Sequence, residues 1–329
     1  MQEQQARALT VEAGRELLEK GLVARTWGNV SCRADGDTMV ISPSGLDYIA
    51  TREEDTVVVS IASGEWDKAQ RKPSSERGVH RAAYQRFPEV GFVIHPHQDC
   101  ASALSLAGSE ALALSAEEER ALGGIALADY GLPGTKKLTE AVSACLATGA
   151  HTVLMAKHGA LICAENKEEA MARSALLEEV CRRALRAAMP VTEGEDASLF
   201  LSCVKEIYPH AGLVATPAAL SYAAKGRALP AQLDDMAQMI GAAIPAAATE
   251  EQALRLLGRK AAVLLPGAGI LVNADEADDA EALKLLAHKA ALCALHTEGC
   301  GVRSRVGLFD TLLMRQVYLT KYSKQKQKE

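Results

Sequence analysis

The sequence predicts an α/β protein in two parts, a larger domain over residues 1–190 and a smaller α/β segment over residues 205–329. Three observations support this prediction. Short β-like runs alternate with helix-like segments in the first part. Residues 190–197 contain a proline, a glycine and several acidic residues, which is typical of a linker. The last third repeats a strand–turn–strand–helix pattern that occurs earlier in the chain.

The N-terminal part begins with an amphipathic helix, which we expect from about Thr10 to Lys20, with Gly21 ending it. Short strands follow in the order NVSCR, TMVIS and TVVVSI. Asp-Gly, Pro-Ser-Gly and Ser-Gly sequences lie between them and favour tight turns. This part of the chain therefore predicts one helix followed by short strands joined by turns.

The next segments alternate between helix and strand. SSERGVHRAAYQRF predicts a helix with a serine N-cap and an acidic first turn. The compact strand VGFVIHPH follows, and then a helix from about Asp99 to Leu106. GTKKLTEAVSACLATG predicts another helix, and HTVLMAKHGALICA predicts two strands joined at residues 157–159. A long helix is expected from about Lys167 to Ala188.

The last third resembles an incomplete internal copy of the first part. The sequence from Val153 resembles the sequence from Val263 at a constant offset of 110 positions without gaps. In this alignment His158 becomes Ala268. The upstream stretches HPHQDCASALSLAG and TPAALSYAAKGR agree more loosely, and there the two histidines of HPH fall on Thr216 and Ala218. We therefore expect a structural or interface role for residues 205–329, with a solvated basic tail from about residue 321. Chance similarity of two strand–helix units is the alternative.

Composition and charge exclude several classes of function. The 329-residue chain has a net charge of -6, whereas a nucleic-acid partner requires a basic face. The N-terminus has no apolar secretory region, and no apolar run approaches the length of a membrane span. The eight cysteines are scattered without CxxC spacing. We therefore expect reduced thiols, a cytoplasmic location, and no nucleic-acid or membrane partner.

Three histidines predict a site for a divalent metal ion. His95 and His97 are two residues apart on a strand-like segment, where alternation places both side chains on one face. His158 is the best third candidate because it ends a second β-like run and precedes Gly159. Three imidazole nitrogens leave one coordination position open, the pattern of catalytic zinc. The alternative is three ordinary histidines with hydrogen-bond partners.

Glu76 and the serines before it suggest acid–base chemistry beside a phosphate site. Ser74 and Ser75 offer hydroxyls and backbone N–H groups at a helix N-terminus. Two glycine-containing turns could add donors from Thr26, Gly28, Asn29, Ser44 and Gly45. The alternative is that Glu76 is an ordinary first-turn carboxylate and that the two turns have only a structural role.

Five motifs in order resemble the class II aldolase/adducin family over about residues 6–188. They are T-x-G-N-[IV]-S, [IT]-x-P-S-G-x-x-Y, K-P-S-S-E, H-x-H and H-G, which here contain Thr26–Ser31, Ile41–Tyr48, Lys72–Glu76, His95–His97 and His158–Gly159. The resemblance implies a three-layer α/β/α sandwich around a mainly antiparallel sheet. It also implies a homotetramer with active sites between subunits.

The resemblance also assigns roles to individual residues. It implies zinc, or another divalent ion, on His95, His97 and His158, with Glu76 as the catalytic acid/base. Phosphate-binding groups fall on Thr26, Gly28, Asn29, Ser44, Gly45, Ser74 and Ser75. A tyrosine that donates a proton across a subunit boundary falls on Tyr130. Proton exchange by Glu76 would be favoured by a pKa raised in a partly apolar pocket.

The activity implied is metal-dependent retro-aldol cleavage of a phosphorylated ketose, or a related sugar acid, to dihydroxyacetone phosphate or a similar product and an aldehyde. Related 4-epimerases carry an aspartate at the position of Glu76, which favours an aldolase. Two alternatives stay open. One is an epimerase, dehydratase or decarboxylase with the same metal–enolate chemistry. The other is a non-catalytic, adducin-like binding or scaffold protein.

Overall fold

The chain divides into two compact units, Met1–Ala184 and Leu185–Glu329. The computed structural model describes the backbone, and except at residues 321 and 322 the side chains, of residues 1–23, 26–108, 112–186, 194 and 196–322. Most of the predicted linker at residues 190–197 lies outside the described residues. So does the predicted basic tail beyond residue 322.

The first unit contains seven strands and six helices among its described residues. The strands are β1 (Asn29–Ala34), β2 (Thr38–Ile41), β3 (Val57–Ser60), β4 (Phe92–His95), β5 (Ile125–Ala128), β6 (Thr152–Met155) and β7 (Gly159–Ala164). The helices are α1 (Glu3–Glu19), α2 (Arg77–Arg86), α3 (Asp99–Ala107), α4 (Ala116–Leu122), α5 (Lys136–Ala147) and α6 (Lys167–Ala184).

All seven strands form one sheet in the order β3-β2-β1-β4-β7-β6-β5. Only β5 runs parallel to its neighbour, and every other pairing is antiparallel. Helices α1, α3 and α6 contact the central strands, while α2 and α5 pack together against the sheet. The predicted α/β sandwich around a mainly antiparallel sheet is confirmed.

The core between the sheet and the α2–α5 pair is apolar. It combines strand residues such as Val93 and Leu161 with helix residues such as Val79, Leu138 and Val142, all at most 2% exposed. Burial of large aliphatic side chains supplies most of the driving force for such packing. This core fixes α2 against the central strands, and α2 carries Glu76 at its N-terminal end.

Several elements differ from the sequence predictions, including the long helix α6, which ends at Ala184 rather than near Ala188. Helix α1 begins at Glu3 rather than near Thr10, because Arg7 donates to the carbonyl oxygens of Glu53 and Thr56 and so anchors the first turns. Helix α2 has Glu76 itself as its N-cap residue, and the Ser74 hydroxyl accepts from the Glu76 N–H at 3.2 Å. Helix α4 and strand β5 are not predicted by the sequence analysis.

The second unit has its own smaller α/β arrangement. Its strands are β8 (Gly212–Val214), β9 (Leu229–Pro230), β10 (Ala243–Ile244), β11 (Ala262–Leu265) and β12 (Gly269–Val272). Its helices are α7 (Ser198–Ile207), α8 (Pro217–Ala223), α9 (Asp234–Met239), α10 (Glu250–Leu257), α11 (Ala277–Gly299) and α12 (Leu308–Val317). The strands form an antiparallel sheet in the order β11-β12-β8 and a separate β9–β10 pair.

The β11–β12 hairpin matches the β6–β7 hairpin at the offset seen in the sequence. Each strand begins 110 residues after its counterpart, and α11 begins 110 residues after α6. Strand β8 pairs with β12 as β4 pairs with β7. The pairing register places Leu213 and Ala215 where the first unit has His95 and His97. The sequence alignment to Thr216 and Ala218 is therefore wrong by three residues, because the chain between the two copied segments differs in length.

One glycine in each hairpin allows a close backbone approach. A Cβ atom at Gly159 would lie 2.5 Å from the Pro96 carbonyl oxygen, and one at Gly269 would lie 2.3 Å from the Val214 carbonyl oxygen. Both distances are far below van der Waals contact. The neighbouring strand can lie this close only because neither glycine has a side chain.

We expect Gly159→Ala to lower the free energy of unfolding by about 1–3 kcal/mol, the usual cost of overpacking. Urea unfolding followed by circular dichroism measures the change. Gly307→Ala is the matched control, because Gly307 has φ -58° and its Cβ would meet its nearest neighbour only at 3.8 Å. Equal destabilisation by the two substitutions would contradict the close approach at Gly159.

The eight cysteines all lie among the described residues, where none of them forms a disulfide, and five are buried. Within the described part of the chain, no helix combines the length and the apolar character needed to cross a membrane.

Candidate metal centre

The sheet topology brings the predicted histidines together. His95 is the last residue of β4, and His158 immediately precedes β7, the antiparallel neighbour of β4. The C-terminal end of β4 and the N-terminal end of β7 therefore lie side by side, at the same end of these two central strands. Asn29, the first residue of β1, pairs with His95 on the other side of β4. Glu76, at the N-terminus of α2, lies at this same end of the central strands.

Four potential ligand atoms converge there. His95 Nε2 lies 3.0 Å from His158 Nε2 and 3.0 Å from His97 Nε2. With a Glu76 carboxylate oxygen, all the ligand atoms lie within 4.8 Å of one another. His95 and His158 are at most 2% exposed, and Glu76 is 8% exposed. This is a set of three imidazoles and one carboxylate, all buried except the half-buried His97.

The hydrogen bonding of His95 fits a bound cation. Its Nδ1–H donates to the Ala160 carbonyl oxygen at 2.6 Å, so Nε2 of the neutral ring carries a lone pair. That lone pair faces the Glu76 Oε2 atom at 3.1 Å as well as two other imidazole nitrogens. The lone pairs on these atoms repel one another. A divalent ion bound among them would remove this repulsion, because each lone pair would coordinate the ion. Metal-bound histidines commonly donate their second N–H to a carbonyl in this way.

Glu76 is a member of the cluster and not merely beside it. Oε1 lies 2.9 Å from His158 Nε2, and Oε2 also accepts a hydrogen bond from Asn29 Nδ2 at 3.1 Å. Burial raises the pKa of Glu76, but attraction and hydrogen bonding to His95 and His158 in their protonated forms outweigh burial and hold the pKa well below its usual value. The expected upward shift is therefore wrong. The carboxylate is ionised at neutral pH, the protonation state that a proton acceptor requires.

Three loops that carry the predicted phosphate-binding residues are joined by hydrogen bonds. The Ser42 hydroxyl accepts from the Val30 N–H, and the Ser42 carbonyl accepts from the Ser74 N–H. The Ser44 N–H donates to the Lys72 carbonyl oxygen at 2.9 Å. The loops containing Ser44 and Ser74 are thus held side by side next to the start of β1.

The predicted phosphate-binding residues differ in their exposure. Ser75 is exposed, Thr26, Gly28, Ser44 and Gly45 are half-buried, and Asn29 and Ser74 are buried. Gly28 has φ +79°, and a Cβ there would lie 2.4 Å from the His95 carbonyl oxygen. The glycine is therefore needed for the close approach of this loop to β4.

Comparison with known proteins identifies the family. Residues 8–185, just over half of the chain, match the family described as the class II aldolase and adducin N-terminal domain. The chain belongs to the class II aldolase and adducin family.

Relatives within this family have different activities. A 5-deoxy-D-ribulose 1-phosphate aldolase of Bacillus thuringiensis is 32% identical over 164 residues, which cover 50% of this chain and 76% of that protein. An L-ribulose-5-phosphate 4-epimerase, UlaF, of Salmonella typhi is 37% identical over 133 residues. That match covers 39% of this chain and only 54% of the epimerase. The chain is thus similar in sequence both to an aldolase and to an epimerase of this family.

A solved structure shows the same fold. YgbL from Klebsiella pneumoniae is 26% identical, with a TM-score of 0.51 over 56% of this chain and 89% of that chain. The matched 56% of this chain is about the length of the first unit, Met1–Ala184. The class II aldolase fold is therefore present as a nearly complete domain.

Tyr130 lies outside the histidine cluster of this class II aldolase domain. It follows the edge strand β5 and is half-buried. The Lys157 ammonium lies 5.2 Å from the centre of its ring. Lys157 precedes His158 and has φ +65°, in the left-handed region. The corresponding residue of the second unit is Gly267, which has φ +82°. The structure therefore places Tyr130 near the turn that carries His158.

Sequence reasoning missed two polar residues close to the class II aldolase site. Ser31 and Tyr84 are buried and hydrogen-bonded to each other at 2.9 Å, and Ser31 also bonds His80 at 2.7 Å. The spacing of Ser31 and Tyr84 from the predicted site residues in the sequence could have identified them. Ser31 is two residues after Asn29 on a strand, and Tyr84 is eight residues after Glu76 on a helix, so each pair shares a face.

Proposed function

We propose that the chain is a metal-dependent class II aldolase that cleaves a phosphorylated ketose, or a related sugar acid, to dihydroxyacetone phosphate or a similar product and an aldehyde. The observation that carries the proposal is the convergence of the buried His95 and His158 and the half-buried His97 with an ionised Glu76. Retro-aldol chemistry needs an electrophile at a carbonyl and a base at a hydroxyl, and these residues can hold the first and supply the second.

The histidines would hold one divalent ion, zinc in our proposal. When bound, such an ion polarises the substrate carbonyl and stabilises negative charge that develops on its oxygen. The His95 Nδ1–H bond to Ala160 keeps the Nε2 lone pair directed at the site. Three protein nitrogens leave room for substrate oxygen when Glu76 acts as a base instead of a ligand.

Glu76 would move the proton. Its carboxylate accepts the proton of the substrate hydroxyl on the carbon that becomes the aldehyde. The carbon–carbon bond then breaks, and its electron pair passes to the carbon next to the ketone. The resulting carboxylic acid returns the proton to that carbon, so no proton is gained or lost overall. Tyr130 of an adjacent subunit in a homotetramer would assist by donating a hydrogen bond to the oxygen that becomes the aldehyde carbonyl, and it would transfer a proton to that oxygen only in the reverse, bond-forming direction.

The epimerase alternative rests on the 37% identity to the ribulose-phosphate epimerase. Both reactions break the same type of carbon–carbon bond next to a polarised ketone, and an epimerase rejoins the fragments. The resemblance favours cleavage because related 4-epimerases have an aspartate at the position of Glu76. The discriminating test incubates the metal-loaded chain with phosphorylated ketoses and acids, and measures released aldehyde and carbon dioxide.

Aldehyde release from a ketose phosphate supports the aldolase. A new ketose epimer without aldehyde would overturn it in favour of an epimerase, and carbon dioxide from a keto acid would indicate a decarboxylase. A folded chain that binds a divalent ion but converts none of these compounds would favour a non-catalytic role.

A phosphate site next to the metal is supported by the loops around Ser44, Gly45, Ser74 and Ser75. We expect Ser75→Ala to weaken competitive inhibition by inorganic phosphate by about tenfold, because a hydrogen bond to a charged group contributes about 1.5–3 kcal/mol. The Michaelis constant for the phosphorylated substrate should rise similarly, with kcat nearly unchanged. Ser202→Ala, an exposed serine of α7, is the control. Unchanged phosphate inhibition in Ser75→Ala would count against this site.

The second unit lacks the site residues of the first. Ala268 stands at the position of His158, and Leu213 and Ala215 stand at those of His95 and His97. We therefore assign residues 205–329 a structural or interface role as a degenerate half-repeat, joined to a catalytic domain at 1–190. A cytoplasmic location is part of the same proposal.

A further inference from the structure

A chain of hydrogen bonds leads from the Glu76 carboxylate into the protein interior. Asn29 Nδ2 donates to Glu76 Oε2 at 3.1 Å, and Asn29 Oδ1 is hydrogen-bonded to His80 Nε2. The other ring nitrogen of His80 lies 2.7 Å from the Ser31 hydroxyl, which lies 2.9 Å from the Tyr84 hydroxyl. The four residues beyond Glu76 are at most 4% exposed.

The direction of every hydrogen bond in this chain is fixed by its first acceptor. Asn29 turns its NH₂ group toward Glu76 and its oxygen toward His80, and an amide oxygen only accepts. His80 must then carry its proton on Nε2, which leaves Nδ1 to accept from the Ser31 hydroxyl. With its proton used, Ser31 accepts from Tyr84. All four donors therefore point toward the carboxylate.

Beyond Glu76, the side chains in this series of hydrogen bonds are uncharged. Burial lowers the pKa of His80 to about 3, so the ring is neutral at physiological pH. Burial likewise raises the pKa of the Tyr84 hydroxyl well above its usual value. A fully satisfied neutral chain in a buried environment is rigid, and aligned hydrogen bonds strengthen one another.

We propose that His80 is a positioning residue that fixes Asn29, and through Asn29 the Glu76 carboxylate, in the orientation required at the metal site. This inference rests on the proposed role of Glu76 as the base. It also changes the part assigned to Asn29. Both polar atoms of its side chain are hydrogen-bonded within the protein, so the side chain serves the base, and only its second amide N–H is left for a phosphate.

The first test measures the His80 tautomer and requires no substrate. In ¹⁵N-histidine-labelled full-length protein at neutral pH, we expect His80 to show a protonated Nε2 and an unprotonated Nδ1. The His80 signals are identified by their loss in His80→Gln. A protonated Nδ1 would overturn the proposal, because the Asn29 amide could not then be held in the required direction.

The second test uses kinetics. His80→Leu should lower kcat by about 10–100-fold, the usual effect of losing a partner that orients a metal-site residue, with the Michaelis constant unchanged. His80→Gln offers one donor and one acceptor and should restore most of kcat. Tyr84→Phe, at the far end of the chain, should have a smaller effect, and Tyr222→Phe is the matched control because Tyr222 is also 2% exposed.

The outcomes separate this proposal from the proposed function. A folded His80→Leu variant with wild-type kcat, or the same loss in His80→Gln as in His80→Leu, would contradict the positioning role. If His80→Leu does not fold, Ser31→Ala and the tautomer of the unmodified protein decide the question. Failure of the wild-type chain to cleave any phosphorylated ketose, together with the expected tautomer, would overturn the function but leave the hydrogen-bond chain intact.

Discussion

Replacement of Glu76 by glutamine is expected to lower kcat for carbon–carbon cleavage by about 10²–10⁴-fold, the range contributed by a positioned general base. Glutamine preserves the size of the side chain but cannot accept and return a proton. The carboxylate lies 2.9 Å from His158 Nε2 and 3.1 Å from His95 Nε2, so a substrate atom bound at the cluster is within its reach. Steady-state kinetics of aldehyde release measures the effect.

The metal content of Glu76→Gln should stay close to that of the wild-type chain, since the three imidazoles remain. This separates loss of the base from loss of the ion. Glu165→Gln, which changes an exposed carboxylate at the end of β7, provides the control and should retain full activity. Wild-type turnover in Glu76→Gln would show that another group is the base.

The second large effect is expected at the metal ligands. His158→Ala removes one of three converging nitrogens and should weaken binding of a divalent ion by more than about 100-fold, because loss of an outer partner alone costs about 10–100-fold. Elemental analysis and titration against a competing chelator measure this change. Activity should fall in parallel and should not return at moderate metal concentrations.

His151→Ala is the matched control for this experiment. His151 lies in the same part of the chain and stacks on Phe87 with 4.1 Å between ring centroids, but it is not a member of the cluster. It should keep wild-type metal affinity. If His158→Ala bound the ion as tightly as His151→Ala does, His158 could not be a ligand.

Local sequence patterns predicted the central part of the fold well. Strand β4 and the β6–β7 hairpin are short apolar runs bounded by turn residues, so their bounds follow from the sequence. The first two turns of α1 were missed because they depend on Arg7 reaching carbonyl groups far along the chain. Strand β5 was missed because an edge strand is only half-buried and has a weak apolar pattern.

In the candidate site, too, some features follow from the local sequence and others only from the tertiary structure. The spacing of His95 and His97 fixes their common face, and pairing of β4 with β7 then brings His158 within 3.0 Å of His95. The sequence could not give the sign of the pKa shift of Glu76. Burial and neighbouring charge act in opposite directions, and their balance depends on distances that only the fold sets.

The internal copy illustrates a limit of matching short stretches by sequence alone. The hairpin and the following helix align without gaps, so Ala268 is correctly matched to His158. Strand β8 lies before a segment of different length, and only its hydrogen-bond register with β12 shows that Leu213 matches His95. Pairing register, unlike local composition, is a property of the folded sheet.

X-ray absorption spectroscopy of the metal-loaded full-length chain tests the central claim most directly. We expect close to one divalent ion per chain, with three imidazole nitrogens at about 2.0–2.1 Å if the ion is zinc. The imidazole contribution should disappear in His95→Ala along with the bound ion. A first coordination shell dominated by sulfur, or a folded wild-type chain that binds no divalent ion, would contradict the claim that these histidines form a metal centre.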